Sequence, residues 1–387
     1  MDRLIVAADP YVFLDEKSGY YYSFATSDIE NKAFCIHRSL DLKNWEYVSH
    51  ALDITHEKIW GKDWFWAPEC YYNPNNDHYY LFYSARVKDE LAEKYFYDSN
   101  YEETCKIGVA VSKNIEGPYV NITNEPMEYS PFDFEYLNIE EAASNTMELT
   151  DASLLSKVSK GSYIPAIDVN ILFEENRMIM YFSRCCYKNC RYDEEYKRFI
   201  EASNVACVEL DMAWWFDKEA KSMPKIADSF ITYDEQGRRK DKFITLISYQ
   251  NEPQGWENEH VNDYKTHNKM RKNRRWSEGS TIFKVEDRYC LTYSCNCFED
   301  EDYAVGIAFS NNPIGPFKKY DLNPVIKMND EVCCTGHGST LFIDGQLYYF
   351  LHARTVVELP RIQCYTKLHI SKDSVTCDRI EICQLKD

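Results

Sequence analysis

The sequence predicts an all-β fold, a five-bladed β-propeller with four-stranded antiparallel blades around a central channel. Three observations lead there. A strand–turn–strand pattern recurs five times along the 387 residues, and each copy is followed by a second strand pair. Tyr and Phe are abundant, at 31 and 20, while Gly and Pro stand at 13 each. That composition suits many short strands with aromatic faces, and fixed-period repetition is the mark of a propeller. A β-sandwich has no reason to repeat one hairpin five times.

The five hairpins are residues 9–26 (DPYVFLDEKSGYYYSFAT), 66–86 (WAPECYYNPNNDHYYLFYSAR), 167–184 (IDVNILFEENRMIMYFSR), 278–295 (EGSTIFKVEDRYCLTYSC) and 336–354 (GHGSTLFIDGQLYYFLHAR). In the second of them a turn at Asn73-Pro74-Asn75-Asn76-Asp77 separates two apolar, aromatic runs. Second strand pairs follow at 34–48, 106–120 and 303–320, with weaker copies at 205–210 and 364–378. Aligned on Tyr20, Tyr79, Ile179, Tyr289 and Tyr348, the position eleven residues earlier holds Asp9, Pro68, Asp168, Glu278 and His337.

The spacing supports one domain over 1–387. Asp9 to Pro68 and Glu278 to His337 are 59 residues each, whereas Pro68 to Asp168 is 100 and Asp168 to Glu278 is 110. The two longer intervals carry insertions, at about 121–160 and 211–275, the first with a short helix expected near 140–147. In an up-and-down blade the fourth strand ends on the face where the next first strand begins. Both insertions are therefore expected over the face that carries Asp9, Asp168 and Glu278. The long second-to-third-strand loops 87–104 and 185–204 are expected on the same face, where they would close a pocket.

Composition excludes several classes of partner. A net charge of −19 repels the phosphates of nucleic acid. No apolar run has membrane length and no secretory leader is present, so a cytoplasmic location is expected. The fifteen cysteines are odd in number and none is spaced CxxC, which reads as reduced, buried thiols rather than a zinc ribbon. Without a leader, Asn121-Ile122-Thr123 is read as a chance match to a glycosylation acceptor.

First strands of a propeller line its axis, so Asp9, Asp168 and Glu278 converge at one end of the channel. Clustered carboxylates raise one another's pKa, leaving one protonated while another stays ionised. Hydrolysis of a glycosidic bond needs that combination, an acid for the leaving oxygen and a base for water. Clustered acids beside His337 also read as a Ca²⁺ site deeper in the channel.

The motifs resemble those of glycoside hydrolase family 43, five-bladed propeller enzymes acting on arabinose- and xylose-containing glycans. They are Ala8-Asp9-Pro10-Tyr11-Val12, Ser39-Leu40-Asp41-Leu42 with Asn44-Trp45, Trp66-Ala67-Pro68-Glu69, Ile167-Asp168, Ser277-Glu278-Gly279 and Gly336-His337-Gly338. The resemblance implies Asp9 as general base, Glu278 as general acid and Asp168 as the carboxylate that orients the acid and tunes its pKa. It implies inversion at the anomeric carbon, no required cofactor, and a His337 that binds a central Ca²⁺ through water. The chain departs from the common pattern at Val169-Asn170 and at Ser280. An exo-acting α-L-arabinofuranosidase or β-xylosidase is the expected activity; an endo-arabinanase, another propeller sugar enzyme and a non-catalytic carbohydrate-binding propeller are the alternatives.

Trp66 and Phe65 are expected to form an aromatic wall for a sugar ring, with inter-blade packing as the alternative. Arg354, like Arg86 and Arg184, ends a second strand on the catalytic face; one of the three is expected to bind substrate hydroxyls or hold a carboxylate, and the others to form surface salt bridges. Glu69 and His352 read as structural.

Overall fold

The computed structural model describes residues 3–27, 33–96, 103–138, 155–156, 158–258 and 274–386. The helix expected near 140–147 lies outside them. The described chain is all-β, and its strands fall into five consecutive antiparallel meanders. The first is Ala8–Asp15, Tyr20–Thr26, Cys35–Ser39 and Asn44–His50. The second is Gly61–Asn73, His78–Val87, Cys105–Ser112 and Val120–Asn121. The third is Ala166–Glu174, Arg177–Asp193, Arg198–Leu210 and Ile244–Ile247. The fourth is Arg274–Val285, Arg288–Cys295, Ala304–Ser310 and Lys318–Lys319. The fifth is Cys333–Ile343, Gln346–Arg354, Ile362–Ile370 and Val375–Cys377.

Each first strand touches the first strands of the units before and after it, and the fifth touches the first. The apolar residues explain this ring. Strand residues alternate in direction, so Tyr79, Leu81 and Tyr83 join Tyr22, Phe24 and Trp60 in a cluster between units one and two. Tyr80 and Phe82, pointing the other way, join Met178, Met180 and Val208 between units two and three. Equivalent clusters fill the remaining junctions, the last pairing Val12 and Trp45 of unit one with Phe350 of unit five. Each sheet is thus apolar on both faces, and burial of each large side chain contributes roughly 1.5–3 kcal/mol. Gln384–Leu385 pairs with both Asn44–His50 and Arg3–Leu4 on the outer edge of unit one.

Three expectations about the additions change. Residues 185–204 are not a loop, because the second and third strands of unit three extend as a hairpin that pairs as far as Asp193 with Arg198. Residues 87–104 include a helix, Asp89–Phe96, which buries Leu91, Ala92, Tyr95 and Phe96. The 211–275 insertion is split, since the fourth strand of unit three, Ile244–Ile247, lies inside it. Its first part leaves the third strand at the end away from the acids. There the Trp215 and Asp217 carbonyls accept hydrogen bonds from Asn73 and Asn76, in the tip of the second unit's hairpin. Residues 231–241 then form a hairpin that returns along the outside, and Ser130 donates to its Asp241. Within 121–160, the described strand Phe132–Asn138 pairs with Ser159–Tyr163, and its Asp133 meets Arg184.

Candidate active site

A β-bulge interrupts the first strand of every unit at the same place. The bulges carry positive φ at Asp9 (52°), Ala67 (48°), Asp168 (60°), Gly279 (58°) and His337 (37°). For non-glycine residues this left-handed backbone costs on the order of 1–3 kcal/mol and persists where surroundings over-determine it. A bulge turns its side chain away from the pleat, which here aims Asp9, Asp168 and His337 at one another.

The ladder corrects the sequence alignment. Residues paired with the ends of the second strands are Ala8 with Thr26, Trp66 with Ser84, Ile167 with Ser183, Glu278 with Ser294 and Gly336 with His352. Glu278 therefore stands one residue before the bulge, and Pro68 one residue after it. The aligned residues are not equivalent on the ladder, since Tyr20 stands six residues before Thr26 but Tyr79 and Tyr289 five before Ser84 and Ser294, and Ile179 and Tyr348 four before Ser183 and His352. The row Thr26, Ser84, Ser183, Ser294 and His352 is the signal that would have given the register. Three of these hydroxyls accept the N–H of the next unit's bulge: Thr26 from Ala67 at 2.9 Å, Ser183 from Gly279 at 3.1 Å and Ser294 from His337 at 2.8 Å. His352 does the same between units five and one, its Nδ1 accepting from the Asp9 N–H at 3.3 Å, whereas Ser84 donates to the Trp66 carbonyl.

Asp9 is buried at 8% exposure and surrounded by cations and donors. Thr26 donates to its Oδ2 at 2.8 Å. Its Oδ1 lies 3.3 Å from His337 Nδ1, 3.1 Å from His352 Nδ1 and 3.6 Å from Arg361 Nη1. Burial pushes its carboxyl up, but His337, Arg361 and His352 outweigh that and hold it well below the usual range. Asp168 is also buried; its Oδ2 accepts from Ser183 at 2.8 Å and from the Gly279 N–H at 3.2 Å. It thereby grips the peptide that follows Glu278. Burial raises its pKa and His337, 4.0 Å from its Oδ1, opposes the rise.

Glu278 is held by two donors, Trp276 Nε1 at 2.6 Å and Tyr303 Oη at 2.8 Å. Burial and the charge of Asp168 push its carboxyl up to about 7, against His337 and both donors. His337 is raised in turn: burial lowers it, and the charges of Asp9, Asp168, Glu278 and Glu69 prevail. Glu69 lines one small pocket with Asp9, Asp168 and His337. Its carboxyl accepts from Asn170 and Tyr71, and burial pushes it up to about 8.

The other named residues make the following contacts. Arg354 donates to the Leu359 carbonyl of its own loop; Arg361, at the start of the third strand, is the guanidinium that meets Asp9. Arg86 pairs with Asp63 under Trp64, and Arg184 pairs with Asp133 and stacks on Phe243. Phe65 packs edge-on to Phe34 and beside Tyr83, between units one and two. Trp66 is half-buried and stacked on Trp64 at 5.0 Å, in a cluster that contains Trp276. Arg361, Tyr303 and Trp276 were missed because none occupies a repeated position in the hairpin text. Among the described residues no group of three or more His, Cys, Asp and Glu is arranged to hold a metal ion.

A sequence profile described as Glycosyl hydrolases family 43 matches residues 5–140 and 227–375, which together exceed half the chain. Asp168 falls between the two segments and is placed by the geometry above. An endo-1,4-beta-xylanase from Bacteroides thetaiotaomicron VPI-5482 has a similar structure, with TM-score 0.65 and 22% identity over 99% of this chain and 98% of that one. A thermostable family-43 glycoside hydrolase gives 0.65 and 24% over 98% and 95%. An alpha-L-arabinanase mutant from Cellvibrio cellulosa gives 0.59 and 15% over 99% and 100%. At these identities the likeness is one of fold. None of the curated proteins compared matches the chain.

Proposed function

We propose that this chain, which belongs to glycosyl hydrolases family 43, is a five-bladed propeller that releases terminal α-L-arabinofuranosyl or β-xylosyl residues with inversion. The observation that carries the reading is the divergence of two buried carboxyls in one cluster. Asp9 is held ionised by His337 and Arg361, while Glu278 is pushed up to about 7. That is the assignment of base and acid that direct displacement by water requires. Water loses a proton to Asp9 as it attacks the anomeric carbon, and Glu278 protonates the departing glycosidic oxygen. Asp168 holds the Gly279 N–H and so orients Glu278 from the next residue. No step runs through a metal. The extended hairpin of unit three and the paired strands Phe132–Asn138 and Ser159–Tyr163 favour a pocket and exo action.

A panel of aryl glycosides with arabinofuranosyl, xylosyl and galactosyl groups tests this, with the anomer of the first-formed sugar followed by NMR. Release of arabinose or xylose as the inverted anomer is expected. Retained configuration would refute the mechanism, and release from no member or from arabinan and xylan oligomers would refute the activity.

The pH dependence follows from Glu278. The acid works only while protonated, so kcat/KM is expected to be high below about 7 and to fall tenfold per pH unit above it. Asp9 stays ionised through the neutral and weakly acidic range, because its pKa is depressed. A profile that rises through pH 7 would reverse the assignment.

A further inference from the structure

At four of the five equivalent ladder positions a small hydroxyl residue stands, Thr26, Ser84, Ser183 or Ser294; at the fifth stands an imidazole. A hydroxyl suffices to hold a bulge N–H in other units, so the larger ring of His352 calls for another reason. The ring is 1% exposed. It stacks on Tyr303 with centroids 5.7 Å apart and planes 12° from parallel. Tyr303 itself is fully buried, and its hydroxyl donates to Glu278 Oε1 at 2.8 Å. Gly336 pairs with His352 across the ladder, and a Cβ there would lie 2.1 Å from the Tyr303 ring. The glycine is what admits the tyrosine. An unbroken column results: Asp9, the His352 ring, the Tyr303 ring, Glu278.

We propose that the stacked His352–Tyr303 pair is a spacer that sets the separation between Asp9 and Glu278. The proposal rests on the reading of those two carboxylates as base and acid. Inversion requires room for a water between base and sugar, a separation of roughly 6.5–9.5 Å. Two rigid rings, each with only two side-chain torsions and both sealed from solvent, resist compression in a way that paired flexible carboxylates do not. His352 meets Asp9 through Nδ1 alone, which as an acceptor takes the Asp9 N–H at 3.3 Å and as a donor faces Oδ1 at 3.1 Å, one contact per tautomer of the neutral ring. The other groups facing this ring are His337, Arg361 and, through Tyr303, Glu278. Burial pushes the His352 imidazole down to about 4, so it stays neutral and adds no charge at working pH. Both residues are positioning residues.

Three variants of the full chain test the spacer. His352→Ser installs the hydroxyl used by other units and removes the ring; Tyr303→Leu removes the other ring without touching Asp9; Tyr303→Phe keeps the ring and deletes its hydrogen bond. For His352→Ser and Tyr303→Leu, kcat is expected to fall by about a hundredfold with KM little changed, as for a displacement of the order of 1 Å. His352→Ser should also move an acid limb upward in pH, because Asp9 loses a partner. Tyr303→Phe should retain most of the activity and move the alkaline limb upward, because the Glu278 carboxylate loses a donor. Wild-type kcat and pH profile in folded His352→Ser would overturn the proposal. So would wild-type kcat in Tyr303→Leu, which decides alone if His352→Ser does not fold. Crystal structures of the Tyr303→Leu variant and the wild type separate this from the underlying reading: an unchanged Asp9–Glu278 separation overturns the spacer whatever the activity. Failure of the reading itself would appear instead as wild-type rates in Asp9→Asn and Glu278→Gln.

Discussion

Asp9→Asn is expected to lower kcat by about a hundredfold to ten-thousandfold, the range that general-base catalysis contributes. The loss should be equally severe on a dinitrophenyl glycoside and on a natural oligosaccharide, since water must be activated whichever group leaves. The surroundings of Asp9 sharpen the effect. His337, His352 and Arg361 all converge on its Oδ1, and a neutral amide leaves two of these groups without their counter-charge. His337 would then lose its strongest reason to stay protonated, because the Asp9 charge is first among those that raise it. The variant should show a lowered imidazole pKa by NMR as well as lost turnover. Steady-state rates on the two substrates check the prediction.

Glu278→Gln should behave differently on the same pair. A natural leaving group departs as an alkoxide and needs the proton, so a loss of about a hundredfold to ten-thousandfold is expected there. A dinitrophenolate leaves unaided, and the loss on that substrate should be far smaller. Some loss remains on both, because a Gln amide can accept from only one of the two donors, Trp276 Nε1 and Tyr303 Oη, that the carboxylate accepts from now. The alkaline limb near pH 7 should vanish with the titrating group. If Glu278→Gln is equally crippled on both substrates while Asp9→Asn recovers on the activated one, acid and base are exchanged.

The sequence by itself determined the repeat. Five hairpins with apolar residues on both faces can bury those faces only against one another, and the same text therefore specifies five inter-unit clusters. It also singled out Asp9, Asp168, Glu278 and His337, because charged residues recurring at the start of apolar strands stand out against that pattern. Tertiary structure alone decided the rest. Register belongs to the ladder, and the bulges that turn Asp9 and Asp168 inward put Glu278 one residue out of line with them. No periodicity in one strand records a bulge, which is a property of two. The choice of Arg361 over Arg354 followed the same rule, since which guanidinium reaches Asp9 depends on how the 355–360 loop returns to the third strand. The partition of protons was the last thing to be decided. Asp9 and Glu278 are both buried carboxyls, and burial pushes both toward neutrality. Only the placement of His337, His352 and Arg361 beside one, and of Asp168 beside the other, drives them apart.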